Sequence, residues 1–443
     1  MKLDGKKIAI LGGTQISCEI VKAAKKLGMH TTVIDYYPSS LSPAKQISDE
    51  QALISVADVK EVASYIQDNS IDGVITGYTD SILAWYADIC ELAQLPSYGT
   101  RRQFEIFTDK NKWKQLCHAF GVPTSRDYNG EELLEDPYQA SYPLMVKPAD
   151  GSGSKGVFVV ESPNEFQDLY NKSLSFSKNK KVLVEDYLLG PEVTVFWLFI
   201  NGRYEVFLLG NRHVKHNQED TLPLPAGYTF PASVLPRYLD EVAPNVRRML
   251  ASQGIHDGMM FMQCVVCDGL PFVYDIGFRL TGTLEHLLTA EIADFSPVEM
   301  LLCYAVTGQM TDDLNIWQKV GECLYKPCFN ISCLMKPGTI DHFEGLEKLD
   351  DDPHVIGYVK AHVEGETLPP EAKGQLRQIA LRILGRVDAS DQLKEVMLSL
   401  QEEIRIVSSD GENLMLPGLD SSDFSSTILS CNSGKENVNE DCR

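Results

Sequence analysis

Lys147 closes an apolar run, Pro143-Leu-Met-Val-Lys147. A Gly/Ser-rich string, Gly151-Ser152-Gly153-Ser154-Lys155-Gly156, follows, and then a second apolar run, Val157-Phe-Val-Val160. Glycines let backbone N–H groups approach an anion closely; Ser152, Ser154 and Lys155 add donors, and Lys147 adds a point charge suited to phosphate. The string also fits G-x-G-x-x-G, but a dinucleotide fingerprint needs a helix after the loop. Val157–Val160 is β-branched and aromatic, so it reads as a strand. The loop is therefore expected at the tip of a β-hairpin. Taken alone, it describes an exposed hairpin equally well.

Composition bounds the answer. The chain has 443 residues, 44% of them hydrophobic, and a net charge of −22. That length suggests roughly three domains or lobes. The acidic balance argues against nucleic acid and anionic membranes as main partners. No apolar run reaches the length of a membrane span, and the first residues lack a signal-peptide pattern. Eleven scattered cysteines point to a reducing cytoplasm. Cys264-Val-Val-Cys267 lacks a second pair at zinc spacing and lies in a strand pattern, so it reads as structural.

The elements alternate at first. Strands are expected at Lys7–Leu11, Thr31–Asp35 and Gly73–Thr76, with helices at 16–27, 59–67 and 81–92, which implies a parallel sheet. Gly12-Gly13 is a strand-to-helix turn or a weak nucleotide signal. A helix capped by Thr108 or Asp109 should end at Gly121-Val-Pro123. Hairpins are expected at Asn201-Gly202 and Asp268-Gly269. Further helices are expected at 164–173, 235–252 and 297–306. Residues 223–231 read as an irregular Pro-rich loop, and a helix is expected near 370–385. The Ser/Asn/Asp-rich chain from about Pro417 reads as disordered. Asn211-Arg212-His213-Val-Lys215-His216 forms a basic cluster that could hold an anionic substrate or be an exposed loop.

The order of these pieces resembles the ATP-grasp superfamily over about residues 1–310, more loosely to 405. It runs from an α/β lobe through Asp109-Lys110 and Val146-Lys147-Pro148 with the Gly-rich hairpin. Val184-Glu185-Asp186-Tyr187-Leu188, Gly190-Pro-Glu192-Val-Thr194 and paired strands around Gln263 and Asp275 come next. The resemblance implies an α/β (α+β) ATP-grasp fold. Its parts would be an N-terminal parallel α/β domain (1–100), an ATP-grasp domain (101–310) with a lid lobe at about 124–184, a C-terminal α/β region (311–415) and a tail (416–443). ATP and magnesium, with manganese as a substitute, would be the cofactors.

By position, Lys110 and Lys147 would contact phosphates under the loop Gly151, Ser152, Gly153, Ser154 and Gly156. Glu185, Tyr187 and Leu188 would line the adenine pocket, and Glu192 would accept from ribose hydroxyls. Gln263 and Asp275 would hold metal. Arg279 would steady the transferred phosphoryl group or the substrate carboxylate, and the Thr281-Gly-Thr283 turn could face an acyl phosphate. His286 reads as a packing histidine. The pattern departs from the family at Gln263, where a glutamate is usual, and at Gly277, where a side-chain ligand is usual.

The resemblance implies an ADP-forming carboxylate–amine ligase acting on small molecules through an acyl phosphate. It is most like the amino-acid-ligase and phosphoribosylglycinamide-synthetase branch. A carboxyphosphate-forming, biotin-carboxylase-like enzyme and an ATP-binding protein with a degraded metal site are the alternatives. A small carboxylate and an amine are the expected partners, and a homodimer is left open. A protein kinase is excluded by the lack of His-Arg-Asp and Asp-Phe-Gly motifs after the hairpin.

Overall fold

The computed structural model describes residues 3–149, 156–216, 218, 221 and 223–424. Gly151, Ser152, Gly153 and Ser154 lie outside the described residues. Two compact units divide the chain. One holds the residues up to Leu208 together with Asp240–Leu324; the other holds Leu209–Leu239 and the residues from Tyr325 onward.

The first unit begins with a parallel sheet, β1 (Lys7–Leu11), β2 (His30–Asp35), β3 (Glu50–Leu53) and β4 (Gly73–Thr76), in the order β3-β2-β1-β4. Helices Cys18–Lys26, Val59–Asp68 and Leu83–Ala93 alternate with these strands. Ile8, Ala9, Ile10 and Leu11 are all buried, as a central parallel strand covered on both faces requires. The Gly12-Gly13 turn is steric in origin. The Gly13 N–H donates to Asp35 Oδ2 at 2.8 Å, and a Cβ there would fall 1.8 Å from Ser42 Oγ.

A small antiparallel sheet follows, built from β5 (Asp127–Tyr128), β6 (Leu144–Pro148), β7 (Phe158–Val160) and β8 (Val182–Asp186), in the order β5-β8-β6-β7. Leu144 pairs with Val160 and Val146 with Phe158, so strands flank the Gly-rich string on both sides. Helix Pro163–Phe176 backs this sheet through Phe166 and Tyr170.

The remaining strands of this unit are β9 (Glu192–Ile200), the first part of β10 (Arg203–Lys215), β11 (Gly258–Cys267) and β12 (Leu270–Gly277), in the order β12-β11-β9-β10. Both hairpin turns carry two positive φ values, Asn201 at 51° with Gly202 at 76° and Asp268 at 50° with Gly269 at 74°. That backbone matches the twist of the flanking strands.

In the second unit, strands Leu224–Phe230, Cys328–Leu334, Ile379–Arg386 and Val355–Lys360 pair in that order, all antiparallel. Three expectations are corrected here. Residues 224–230 form a strand, not a loop. Pro225 is tolerated because the register slips between His213 and Val214, where the ladder loses regularity anyway. The segment expected as a helix near 370–385 is two short 3-10 turns and then the strand Ile379–Arg386. Its apolar run satisfies a helical period, yet it is buried on both faces as a central strand; the helix lies later, at Leu393–Glu402.

The third correction concerns the chain after Pro417. Residues 418–424 are ordered, with Leu419 and Phe424 buried and Ser421–Phe424 in a 3-10 turn. This segment also answers the basic cluster. Lys215 Nζ pairs with Asp420 at 2.6 Å and Asp423 at 2.8 Å, His213 Nδ1 lies 3.1 Å from the Asp423 carbonyl oxygen, and the His213 and Phe424 rings sit 5.1 Å apart. Burial pushes His213 down to about 4, so it is neutral near pH 7. Phe424→Ala should therefore lower the unfolding free energy by about 3 kcal/mol. Urea titration checks this, and a wild-type midpoint would mean that the segment is not packed.

Candidate active site

The site starts at a helix cap. The Asp109 side chain accepts from the N–H groups of Asn111 at 2.9 Å and Lys112 at 3.3 Å, fixing the start of helix Lys110–Phe120. Lys110 is its first residue. Lys114, one turn on, shares its face. On the small sheet, Lys147 of β6 opposes Leu183 of β8, which makes Lys147 and Glu185 diagonal neighbours on one face.

These residues meet at one carboxylate. Glu185 is 4% exposed. Its Oε1 accepts from Lys147 Nζ, and its Oε2 accepts from Lys114 Nζ at 2.5 Å and Ser125 Oγ at 3.0 Å. Lys114 Nζ also donates to Ser125 Oγ at 3.0 Å and pairs with Asp127. Burial pushes the Glu185 carboxyl up, but the two ammonium groups overcome it and hold the carboxyl at about 2. Burial pushes the Lys147 ammonium down, and Glu185 opposes this. Glu185, expected along the adenine pocket, thus has both oxygens engaged by cations and a hydroxyl. Tyr187 and Leu188 are half-buried just beyond β8, with the Tyr187 N–H donating to the Pro143 carbonyl at 3.1 Å. Lys114, Ser125 and Asp127 were not singled out from sequence; the four-residue spacing from Lys110 was the available signal for Lys114.

Glu192 opens β9 and accepts from Tyr274 Oη at 2.6 Å. A register shift places Gln263 opposite Asp275 but Cys264 opposite Val273, leaving Tyr274 as the extra residue of a bulge. Such a bulge re-aims its side chain, here onto Glu192.

Gln263 pairs with Asp275 on one side and Thr194 on the other, so Thr194, Gln263 and Asp275 form a row on one face of three strands. Burial, helped by the Asp80 carboxylate, raises the Asp275 carboxyl, and Lys110, Arg279 and Lys147 oppose this only in part. Asp275 and the lysines Lys110 and Lys147 therefore lie within electrostatic reach of one another. Next along the face, Gly277 pairs with Phe261, and a Cβ on Gly277 would fall 2.2 Å from the Phe261 ring. Among the described residues no group of three or more His, Cys, Asp or Glu side chains could hold a metal. The donor set of one carboxylate and one amide fits one magnesium ion that draws its other ligands from phosphate and water.

Arg279 holds Asp80 through two bonds, Nε at 2.6 Å and a terminal nitrogen at 2.7 Å, and its guanidinium lies 5.1 Å over the Phe261 ring. The Thr281–Thr283 turn is closed on itself. The Thr283 N–H donates to Thr281 Oγ1 at 3.0 Å, and the two hydroxyls continue a chain to Glu285. His286 is buried and pushed down to about 4, as a neutral packing residue would be.

The Glu185 carboxyl is depressed from 4.5 to about 2 on folding. Its stabilisation is therefore complete above its unfolded value and is lost as pH falls toward about 2. Glu185→Gln should cost about 3–5 kcal/mol near neutral pH, because two buried ammonium groups lose their partner. It should also flatten this acid-side loss. Urea denaturation across acidic pH reads both; the same acid dependence in variant and wild type would remove Glu185 from the ion cluster.

Comparison with known proteins fits this geometry. The family model of the D-ala D-ala ligase C-terminus matches residues 120–221. The carbamoyl phosphate synthase large chain of Clostridium botulinum (strain Langeland) is 25% identical over 332 residues, covering 70% of this chain; the chain spans only 30% of that protein's length. The L-amino acid ligase of Bacillus licheniformis superposes with a TM-score of 0.72 at 20% identity, over 92% of this chain and 99% of that one. The biotin carboxylase domain of the Hydrogenobacter thermophilus 2-oxoglutarate carboxylase, solved as a dimer with MgADP, ADP and bicarbonate, gives 0.72 at 16% identity, over 93% and 91%. With the strands that flank the Gly-rich string, the paired lysines and the strand row in the same order, this chain has the ATP-grasp fold.

Proposed function

We propose that this chain is an ATP-dependent, ADP-forming carboxylate–amine ligase acting on small molecules. The observation that carries the reading is the cluster of Lys147, Lys114 and Glu185, with Lys110 and Lys147 both within electrostatic reach of Asp275. Lys110, Lys114 and Lys147 gather beside Glu185, Asp127 and Asp275, and these lysines supply the cations that a polyphosphate needs. Glu192, already oriented by Tyr274, has the acceptor chemistry for ribose hydroxyls.

In this mechanism the substrate carboxylate attacks the γ-phosphorus of ATP, the bond to the β-phosphate oxygen breaks, and ADP leaves. The amine then adds to the acyl phosphate, loses a proton and expels phosphate. No protein nucleophile is needed. Lys110 and Lys147 offset charge on the transferred group, and rate comes from positioning and electrostatics. Asp275 and Gln263 would hold a magnesium ion, which neutralises phosphate charge when bound. Arg279, held by Asp80 and by the Leu280 carbonyl, would steady the transferred phosphoryl group or the substrate carboxylate.

A carboxyphosphate-forming reaction is the second reading, favoured by the likeness to the biotin carboxylase domain solved with bicarbonate. A cytoplasmic location is part of this reading and rests on the scattered cysteines of the sequence; no described helix is long and apolar enough to cross a membrane. A homodimer is the expected assembly, to be read by light scattering.

Hydroxylamine trapping across a panel of carboxylic acids, with ADP release in parallel, tests the ligase reading. Hydroxamate with at least one acid is the expected result. ADP release that needs only bicarbonate would favour the second reading, and ATP binding without ADP release would leave a binding protein. Lys147→Ala should cut ATP turnover by about a hundredfold or more. Unchanged turnover and ATP affinity would remove Lys147 from the site.

A further inference from the structure

Thr194 is 3% exposed, and its hydroxyl has no hydrogen-bond partner among the described residues. Buried hydroxyls without partners are uncommon, because desolvation goes uncompensated. Its position makes the vacancy specific. Thr194 pairs with Gln263, which pairs with Asp275, and adjacent strands set paired side chains about 5 Å apart on one face. The orphan oxygen therefore belongs to the row that carries the two candidate metal donors. Gln263 brings an amide and no charge, so the row offers a divalent cation one formal negative charge, from Asp275.

The opposite neighbour of the row is closed. Gly277 follows Asp275 on the same face, but the Phe261 ring occupies the space where a side chain would begin, 2.2 Å from an ideal Cβ. Arg279, two residues further, caps that ring and is held by Asp80. A cation at this position would meet an aromatic face, a guanidinium and the Asp80 carboxylate, both of whose oxygens Arg279 already engages.

We propose that the site takes a single divalent cation with its nucleotide, and that Thr194 is a third member of that site, its hydroxyl receiving a hydrogen bond from the cation's hydration water. The Gly277–Phe261–Arg279 group excludes a second ion. This inference rests on the nucleotide reading above.

Equilibrium dialysis of the full chain with Mn2+ and the β,γ-imido analogue of ATP, with metal counted by atomic absorption, tests it. Analogue binding in EDTA is measured separately. One Mn2+ per bound analogue is expected, and two would overturn the single-ion proposal. Thr194→Val should weaken Mn2+ binding on the order of tenfold to a hundredfold while analogue binding in EDTA stays unchanged. Thr194→Ser should bind Mn2+ like wild type. Wild-type Mn2+ affinity in Thr194→Val would overturn the role of Thr194. No analogue binding under either condition would overturn the nucleotide reading and this inference together, whereas analogue binding with wrong metal behaviour overturns the inference alone.

Discussion

The carboxylate of Glu185 is the constraint around which the lysine cluster of the first unit is arranged. Lys147 and Lys114 come from a sheet and a helix that share no local sequence, and each carries a buried ammonium group that needs a counter-charge. Desolvating an ammonium group costs several kcal/mol, and a counter-charge offsets that cost. One glutamate serves both and ties strands β6 and β8 to helix Lys110–Phe120. A buried ion cluster of this kind is weak evidence for stability, but it fixes where charge sits. Here the charge sits beside the hairpin whose flanking strands are β6 and β7.

Shape and charge divide the labour at the other end. The bulge at Tyr274 turns one side chain toward Glu192 and leaves Asp275 in register with Gln263. Past Asp275 the face changes from oxygen donors to an aromatic ring, because Gly277 gives Phe261 room to lie flat. Arg279 then stacks on that ring and reaches Asp80, which follows β4. The glycine that looked like a lost ligand is thus part of a packed arrangement that braces the arginine.

The second unit shows where pattern reading loses its grip. Ile379-Ala-Leu-Arg-Ile-Leu384 has helix-like spacing, yet a strand buried on both faces needs no alternation, so the two states share one signature. Leu224–Phe230 carries a proline and reads as a loop until its partner strand is known to slip register beside it. The acidic chain after Pro417 has the composition of a disordered tail, but Lys215, His213 and the buried ring of Phe424 give residues 418–424 a docking place. In all three cases the deciding partner lies far away in sequence.

What the residue order determined is the fold and the chemistry its residues can offer. Strand-loop-strand around the Gly-rich string, the helix cap at Asp109 and the turns at Asn201-Gly202 and Asp268-Gly269 are local effects of backbone conformation, and local effects can be read along a chain. So could the lysines and acids suited to a polyphosphate, and the odd positions Gln263 and Gly277. Tertiary structure decided which of those groups meet. It brought Lys114 to Glu185, Asp80 to Arg279, Phe261 to Gly277 and the orphan hydroxyl of Thr194 into the row with Asp275. Strand register and long-range packing make those choices, and both depend on distances in space that sequence spacing does not encode.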